Sequence, residues 1–458
     1  MVDTTGITQE TGPSGQPALK RVMGPKLLLF FVVGDIIGTG VYALTGQVAG
    51  RVGGALWLPF LLAFVVALMT AFSYLELVGK YPRAAGAALY TNRAFKIPLL
   101  TFMVAFAVMC SGITSASSAA VAFGKTYLAE FIHSPMPLVA ILFILGLAAV
   151  NFRGVGESVK MNVVLTCIEL SGLLIIIGVG VWAVLNGNGD AGRLTQIDTA
   201  EGTWLVAITS ATSLAFFAMV GFEDSVNMAE ECHDPVRIFP KAMLWGMVVA
   251  ATIYVLVALT SSLLVPASDL AAAKSDALLK VLDVGAPGMP REIFSAIGLF
   301  AVINSALINM LMASRLLYGM ANERIIPKRL GTVHQFRRSP WVAILFTSAI
   351  AIVLVSTVDI GVLGGTTALL LLIVFAIVNV AVLVLRKEKV EHKHFRAPTV
   401  IPVLAAIFCL YLVSPLSGRP ARDYLVGAIL LAAGLVLWGI NWFAMRLTRE
   451  KERPPVGS

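Results

Sequence analysis

The sequence predicts an all-α polytopic membrane protein with twelve transmembrane helices, and three observations predict it. Of its 458 residues, 58% are hydrophobic and only 13% charged, whereas a soluble domain carries about 25% charged residues. Mean hydropathy is +0.87. The apolar residues gather into runs of roughly the 20 residues that cross a bilayer, joined by short polar stretches.

The first run, 27–50, is interrupted by glycines and follows Lys26. It has no small-residue cleavage site, so it reads as a span and not as a signal peptide. The next runs are 54–79, 98–123, 136–152 and 161–185. The sixth, 203–228, is interrupted again near Gly221. Then come 241–265, 291–320, 340–358, 361–385, 398–414 and 423–446. Residues 1–22 are polar and rich in Gly, Ser and Thr, which reads as a disordered tail. A second short tail is expected at 448–458. Residues 266–290 form the longest loop on the far side, and periodic Leu and Ala predict short helices there, lying over the access to the interior.

Lysine and arginine set the orientation. With both ends in the cytoplasm, the basic loops around Lys80–Lys96, Arg153–Lys160, Arg237–Lys241, Arg324–Arg338 and Arg386–Arg396 all lie inside. The far side then keeps Arg51, Lys125, Arg193, Lys274, Lys280, Arg291, Arg419 and Arg422 out of 34 Lys and Arg in all. This is the positive-inside pattern. It accounts for the net charge of +8 without nucleic acid, since the chain has no basic stripe with interleaved aromatics. Cys110, Cys167, Cys232 and Cys409 are scattered and form no CxxC pair, so neither a disulfide framework nor a zinc site is expected. No P-loop, nucleotide fingerprint or nucleophile motif occurs. The sequence therefore points away from an enzyme and from any cofactor, and transport would draw on a gradient or on exchange.

Two runs break the apolar pattern in the same way. The first carries Gly34-Asp35-Ile36-Ile37-Gly38-Thr39-Gly40 and the sixth Val220-Gly221-Phe222-Glu223-Asp224. Such glycines could merely allow close helix packing. Paired interruptions with acids, an odd number of helices apart, favour the broken helices of two inverted halves with a binding site between them. An acid at mid-bilayer costs about 2.5–3.5 kcal/mol on insertion scales, which marks Asp35, Glu223 and Asp224. Each could hold a substrate ammonium or carry a coupling proton. Glu223 lies nearest the break, and Asp224 is the one more readily assigned to structure. The half-helix starting near Val41 would aim its N–H groups at a carboxylate, with Gly38 and Gly40 allowing close approach and Thr39 adding a hydroxyl. Phe216, Phe217 and Phe222 could gate the site or pack. Glu169, about two turns into the fifth run, is a further proton candidate. Asn304, Ser305, Asn309 and Ser314 form a polar stripe on the eighth run, and Ser111, Thr114, Ser115 and Ser118 another on the third.

At these residues the chain resembles the amino acid–polyamine–organocation superfamily of permeases, close to its cationic amino acid and polyamine branches. Four stretches carry the resemblance: GDIIGTGVYALTG at 34–46, ELVGKYPRAAGAALYTNRAF at 76–95, FFAMVGFEDSVNMAEECHDPVRIFPKA at 216–242 and SRLLYGMANERIIPKRL at 314–330. The resemblance implies the five-plus-five inverted repeat named for a bacterial leucine transporter, with broken first and sixth helices. It divides the chain into a first repeat at 23–190, a second at 191–390 and two further helices in 391–447. It implies alternating access for an amino acid, cationic ones included, or a polyamine, coupled to protons or run by exchange. The setting would be the cytoplasmic membrane of a bacterium. By position, Ile37, Gly38, Thr39 and Gly40 would meet the substrate carboxylate, and Gly221 would lie at the second break. Phe217 would gate the site. Glu223 would stand where basic-substrate exchangers use an acid. Glu169 falls where some proton-coupled members carry lysine, and Asp35 where many carry a small or amide residue. From a different class, a membrane sensor or channel would bind without saturable uptake.

Overall fold

The computed structural model describes residues 21–451, except 85, 129–130, 133–134, 199–201, 324 and 358–362. Residues 1–20 and 452–458 of the expected tails lie outside the described residues. All the named elements are helices. In order they are α1 (Pro25–Ile36), α2 (Thr39–Val52), α3 (Trp57–Lys80), α4 (Gly86–Phe95), α5 (Pro98–Ala122), α6 (Met136–Arg153), α7 (Val155–Leu185) and α8 (Trp204–Ala215). Then follow α9 (Pro235–Leu264), α10 (Ala267–Ala273), α11 (Ala277–Gly285), α12 (Arg291–Asn322), α13 (Trp341–Thr357), α14 (Leu363–Leu385), α15 (Val400–Val413) and α16 (Ala421–Lys451). Among the described residues nine segments are long and apolar enough to cross a membrane. Shorter apolar helices, Leu138–Arg153, Trp341–Val353 and Val400–Val413, stand at the other three expected runs.

Local chemistry starts these helices where they start. Proline opens α1, α5 and α9, where its missing N–H would have no intrahelical acceptor anyway. Thr203 caps α8 by accepting from Val206 N–H at 3.4 Å. Several helices outrun the apolar stretches: α7 begins at Val155 and α9 at Pro235. Hydrogen bonding continues into polar turns, so hydropathy marks the bilayer and not the helix end. The stretch after α3, read from sequence as a loop, contains the helix α4.

The two interrupted segments sit inside the bundle. Helix α1 packs against α7, α9 and α12, while α2 packs against α8, α10 and α11. The loop 266–290 folds into the short helices α10 and α11, joined by a 3₁₀ turn at Lys274–Asp276. Helix α10 rests on α2 at Gly46, where a Cβ would come within 2.4 Å of Leu270 O. Helix α16 is peripheral, with 17% of its apolar window buried.

Two buried charge clusters tie the bundle together at the end where the described chain begins. Arg386 grips both oxygens of Glu76 at 2.8 and 2.6 Å, and Glu76 also accepts from Ala397 N–H at 2.9 Å. Lys80 donates to the carbonyls of Leu385 and Glu388. Farther in, Arg315 on α12 meets Glu231 at 3.0 Å with both side chains essentially unexposed. Val22 and Met23 N–H both donate to Glu231 O, and His233 N–H donates to Met23 O. The segment ahead of α1 is thereby stitched to the segment that follows the second break.

Removing one partner of a buried pair strands the other charge and typically costs about 3–5 kcal/mol, whereas an apolar replacement of both is nearly neutral. Arg315→Ala is therefore expected to lower the melting temperature of the detergent-purified protein more than the double change Arg315→Met with Glu231→Leu. Scanning fluorimetry checks the order.

Candidate functional site

The first interruption falls between α1 and α2. Ile37 still closes a hydrogen bond to Val33 O, and Gly38 then leaves helical space at φ −44, ψ −162. The second is longer. Helix α8 ends at Ala215, a 3₁₀ turn covers Phe216–Met219, Val220 is extended, and Gly221 takes φ +126. That value lies in a region that glycine occupies without penalty. From Asp224 to Glu231 the chain is a 3₁₀ helix, where continuation of the sixth run as an ordinary helix was expected.

Glycine lets the two interruptions touch through their backbones. A Cβ on Gly221 would lie 2.9 Å from Asp35 C, and one on Gly40 would lie 2.7 Å from Ala218 Cα. Gly34, one turn earlier, faces a polar cluster, since its Cβ would meet Thr166 Oγ1 at 2.0 Å. At Gly221 and Gly40 the nearest atoms met are backbone, so a larger residue there would push the two chains apart, whereas at Gly34 it would displace the side chains of Thr166 and Asn162.

Breaking a helix frees carbonyls and N–H groups that lipid cannot satisfy, and named side chains take them up. Tyr254 donates its hydroxyl to Ile36 O. Asn304 reaches Gly34 O at 3.4 Å. Glu223 bends back to accept from Gly221 N–H at 2.9 Å, and Ser225 donates to Phe222 O at 2.6 Å. The first N–H groups of α2 have no intrahelical acceptor by the nature of a helix start, so they are available to an anion.

The interruptions border a half-open cavity of ≈ 30 Å³. It is lined by Asp35, Gly38, Gly40, Phe217, Gly221 and Asp224, with Ser115, Ser305 and Asn309 from the polar stripes of α5 and α12. Ile37 is buried and, like Glu223, is not among the lining residues. The side chain of Thr39 lies outside the described residues. Glu223 lies at the break, as the sequence reading has it, and accepts from Gly221 N–H, while Asp224, which that reading assigns more readily to structure, lines the cavity. The geometry after Gly221 causes this, because a 3₁₀ turn rotates successive side chains differently from an α-helix.

The three phenylalanines also separate. Phe217 is half-buried and lines the cavity. Phe216 and Phe222 point the other way and pack on Phe375, with ring centroids at 5.8 and 5.4 Å. Their part is to hold the interrupted chain in place.

Behind Gly34 lies a polar cluster shared by α7 and α12. Asn304 Nδ2 is 3.1 Å from both Thr166 Oγ1 and Glu169 Oε2, and Asn162 Nδ2 donates to Asn304 Oδ1 at 2.8 Å. Tyr42 of α2 donates to the backbone carbonyl of Glu169 at 3.1 Å. Glu169 has no measurable exposure. Among the described residues, Glu169 Oε1 and Asp35 Oδ2 have no hydrogen-bond partner. Asn162 and Thr166 escaped the sequence reading. Their i, i+4 spacing, with Glu169 three residues on, is a one-faced polar stripe that periodicity can reveal. Among the described residues, no group of three or more His, Cys, Asp or Glu is placed to hold a metal.

Comparison with known proteins bears on this geometry. The sequence pattern of the family described as amino acid permease matches residues 24–444. The branched-chain amino acid permease BcaP of Bacillus subtilis is 25% identical, over 93% of this chain and 94% of its own. The methylthioribose transporter of the same organism is 26% identical, again over 93% and 94%. The chloroplastic cationic amino acid transporter 7 of Arabidopsis thaliana is 26% identical over 77% of this chain and 63% of its own.

The contact at Gly221 is directly testable. A residue forced into such a conformation costs on the order of 1–3 kcal/mol, and here the added Cβ also collides with Asp35. Gly221→Ala is expected to lower whatever solute flux the protein supports by about tenfold or more. Gly24→Ala, where a Cβ meets nothing within 4 Å, should leave flux near wild type.

Proposed function

Because the chain belongs to the amino acid permease family, whose pattern covers 24–444, we propose that it is a secondary carrier that moves an amino acid across the cytoplasmic membrane of a bacterium by alternating access. It is a transporter and not an enzyme. The observation that carries the reading is the pair of helix interruptions meeting at Gly40–Ala218 and Gly221–Asp35. The substrate carboxylate sits at the start of α2, where unpaired N–H groups and the helix dipole favour an anion. The substrate ammonium sits at Asp35 and Asp224. Phe217 closes over it.

Charge counting narrows the substrate. Among the described residues, the cavity is lined by two carboxylates and by no Lys or Arg. A zwitterion brings one ammonium for those two acids, while its carboxylate is served by backbone. The second acid must then hold a proton or meet a second amine, because an unpaired charge at that depth is too costly. This favours proton-coupled transport or exchange, with cationic amino acids or polyamines as preferred cargo. Glu169, hydrogen-bonded to Asn304 and linked through it to Gly34 O, is the second proton candidate.

The remaining architecture follows from the same reading. Residues 23–190 and 191–390 form two inverted repeats, each opening with an interrupted helix, and α15 and α16 follow them. Both termini lie in the cytoplasm. Alternating access would expose the cavity between the interruptions to each side of the membrane in turn.

Uptake into proteoliposomes with a panel of labelled amino acids and amines, with and without a pH gradient, tests the proposal. Saturable uptake of at least one amino acid is expected, and none across the panel overturns it. Asp224→Asn and Asp35→Asn are each expected to lower kcat/KM for amine-bearing substrates by about 30-fold or more, the usual cost of truncating a buried charge pair. Glu223→Ala, which leaves Gly221 N–H unpaired, is expected to abolish uptake. Glu223→Gln keeps an acceptor and should stay within about threefold of wild type. Glu169→Gln should remove the dependence on a pH gradient while leaving substrate exchange measurable. Uptake equally pH-driven in that variant would take Glu169 out of the coupling.

A further inference from the structure

A second cavity lies away from the interruptions, where α5, α12, α13 and α16 converge beside a basic 3₁₀ turn, Lys328–Gly331. Its free volume is ≈ 140 Å³, and all the lining side chains are apolar. Phe106 of α5, Met320 of α12, Phe346 of α13, Leu437 of α16 and Leu330 of the basic turn describe its course. Phe106 and Met320 are buried, whereas Phe346 and Leu437 are exposed on the outer face. The crevice therefore runs from the lipid-facing surface into the packed interior.

A space of this size forfeits the contacts that close packing would supply. A polar cavity would fill with water, but a fully apolar one of about 150 Å³ stays dry and takes hydrocarbon. The surface it opens on faces the bilayer, so the hydrocarbon at hand is an acyl chain. Charge selects which lipid. Lys328 and Arg329 are exposed and flanked in sequence by the lining residues Pro327 and Leu330. Glu323, the carboxylate nearest them along the chain, is engaged by Arg83 at 3.3 Å. Among the described residues Lys328 and Arg329 have no ion-pair partner, and they lie in the turn whose Pro327 and Leu330 line the crevice, so positive charge stands beside the place where the headgroup of an inserted chain would lie.

We propose that this crevice is a binding site for one anionic phospholipid, with an acyl chain between α5 and α12 and its phosphate on Lys328 and Arg329. The chain would pack against Leu317 and Met320. The same helix carries Asn304, Ser305 and Asn309 toward the central site and holds Arg315 against Glu231. A bound lipid thus braces α12 along its length. The inference rests on the membrane setting alone and is independent of which solute is carried.

Native mass spectrometry of the full-length, delipidated protein titrated with dioleoyl-phosphatidylglycerol or dioleoyl-phosphatidylcholine tests it. One phosphatidylglycerol should be retained, with about 30-fold preference over phosphatidylcholine, as two basic side chains near a membrane surface supply. The double change Lys328→Ala with Arg329→Ala should erase the preference. Ala105→Phe should fill the interior end and prevent retention. Leu437→Trp, on the lipid-facing side and safer for folding, should block the mouth and lower retention by about tenfold. Equal retention of the two lipids by wild type, or undiminished phosphatidylglycerol in Leu437→Trp, would overturn the proposal.

Discussion

Two stretches of bare backbone pressed together inside the bundle are the constraint on which the rest of this molecule depends. Gly40 lies on Ala218 and Gly221 on Asp35, at separations that admit no side chain. Interrupting a helix in lipid is tolerated only where the freed peptide groups find partners. The surrounding residues can be read as answers to that demand. Tyr254 takes Ile36 O, Asn304 takes Gly34 O, and Glu223 takes Gly221 N–H. What is left unanswered, the first N–H groups of α2 and one oxygen of Asp35, faces the space where a zwitterion would sit.

The same arrangement joins the site to the ends of the bundle. Helix α12 runs from the polar cluster at Asn304, past the cavity at Ser305 and Asn309, to the buried Arg315. Arg315 meets Glu231, whose backbone carbonyl also receives Val22 and Met23 N–H. The chain just before the first interruption and the chain just after the second are therefore held by one residue. That junction ties the segments flanking both breaks to α12.

Much of this was legible in the sequence, and what was not has physical reasons. Apolar runs located the helices, because bilayer thickness imposes a length that composition displays. Glycine beside acid located both interruptions. The facing of individual side chains was harder. That Asp224 lines the cavity was not legible because the turn after Gly221 follows neither α nor β periodicity, so a helical wheel misplaces the side chains beyond it. The Arg315–Glu231 pair was invisible because its members are 84 residues apart, and nothing local ties an arginine near the end of one run to a glutamate after another. Asn162 and Thr166 were visible in principle, but hydroxyls and amides in a membrane helix draw less notice than the carboxylate beside them. The helix α4 is too short and too polar to signal a span, so hydropathy alone marks its stretch as loop.

The most direct measurement of the central claim is a density map of the protein in lipid, determined with and without a saturating amino acid that it carries. The account predicts two interrupted helices in both maps, with added density between the start of α2 and Gly221 and within hydrogen-bond reach of Asp35 or Asp224. Continuous helices through 36–40 and 216–224, or ligand density lodged elsewhere in the bundle, would contradict it.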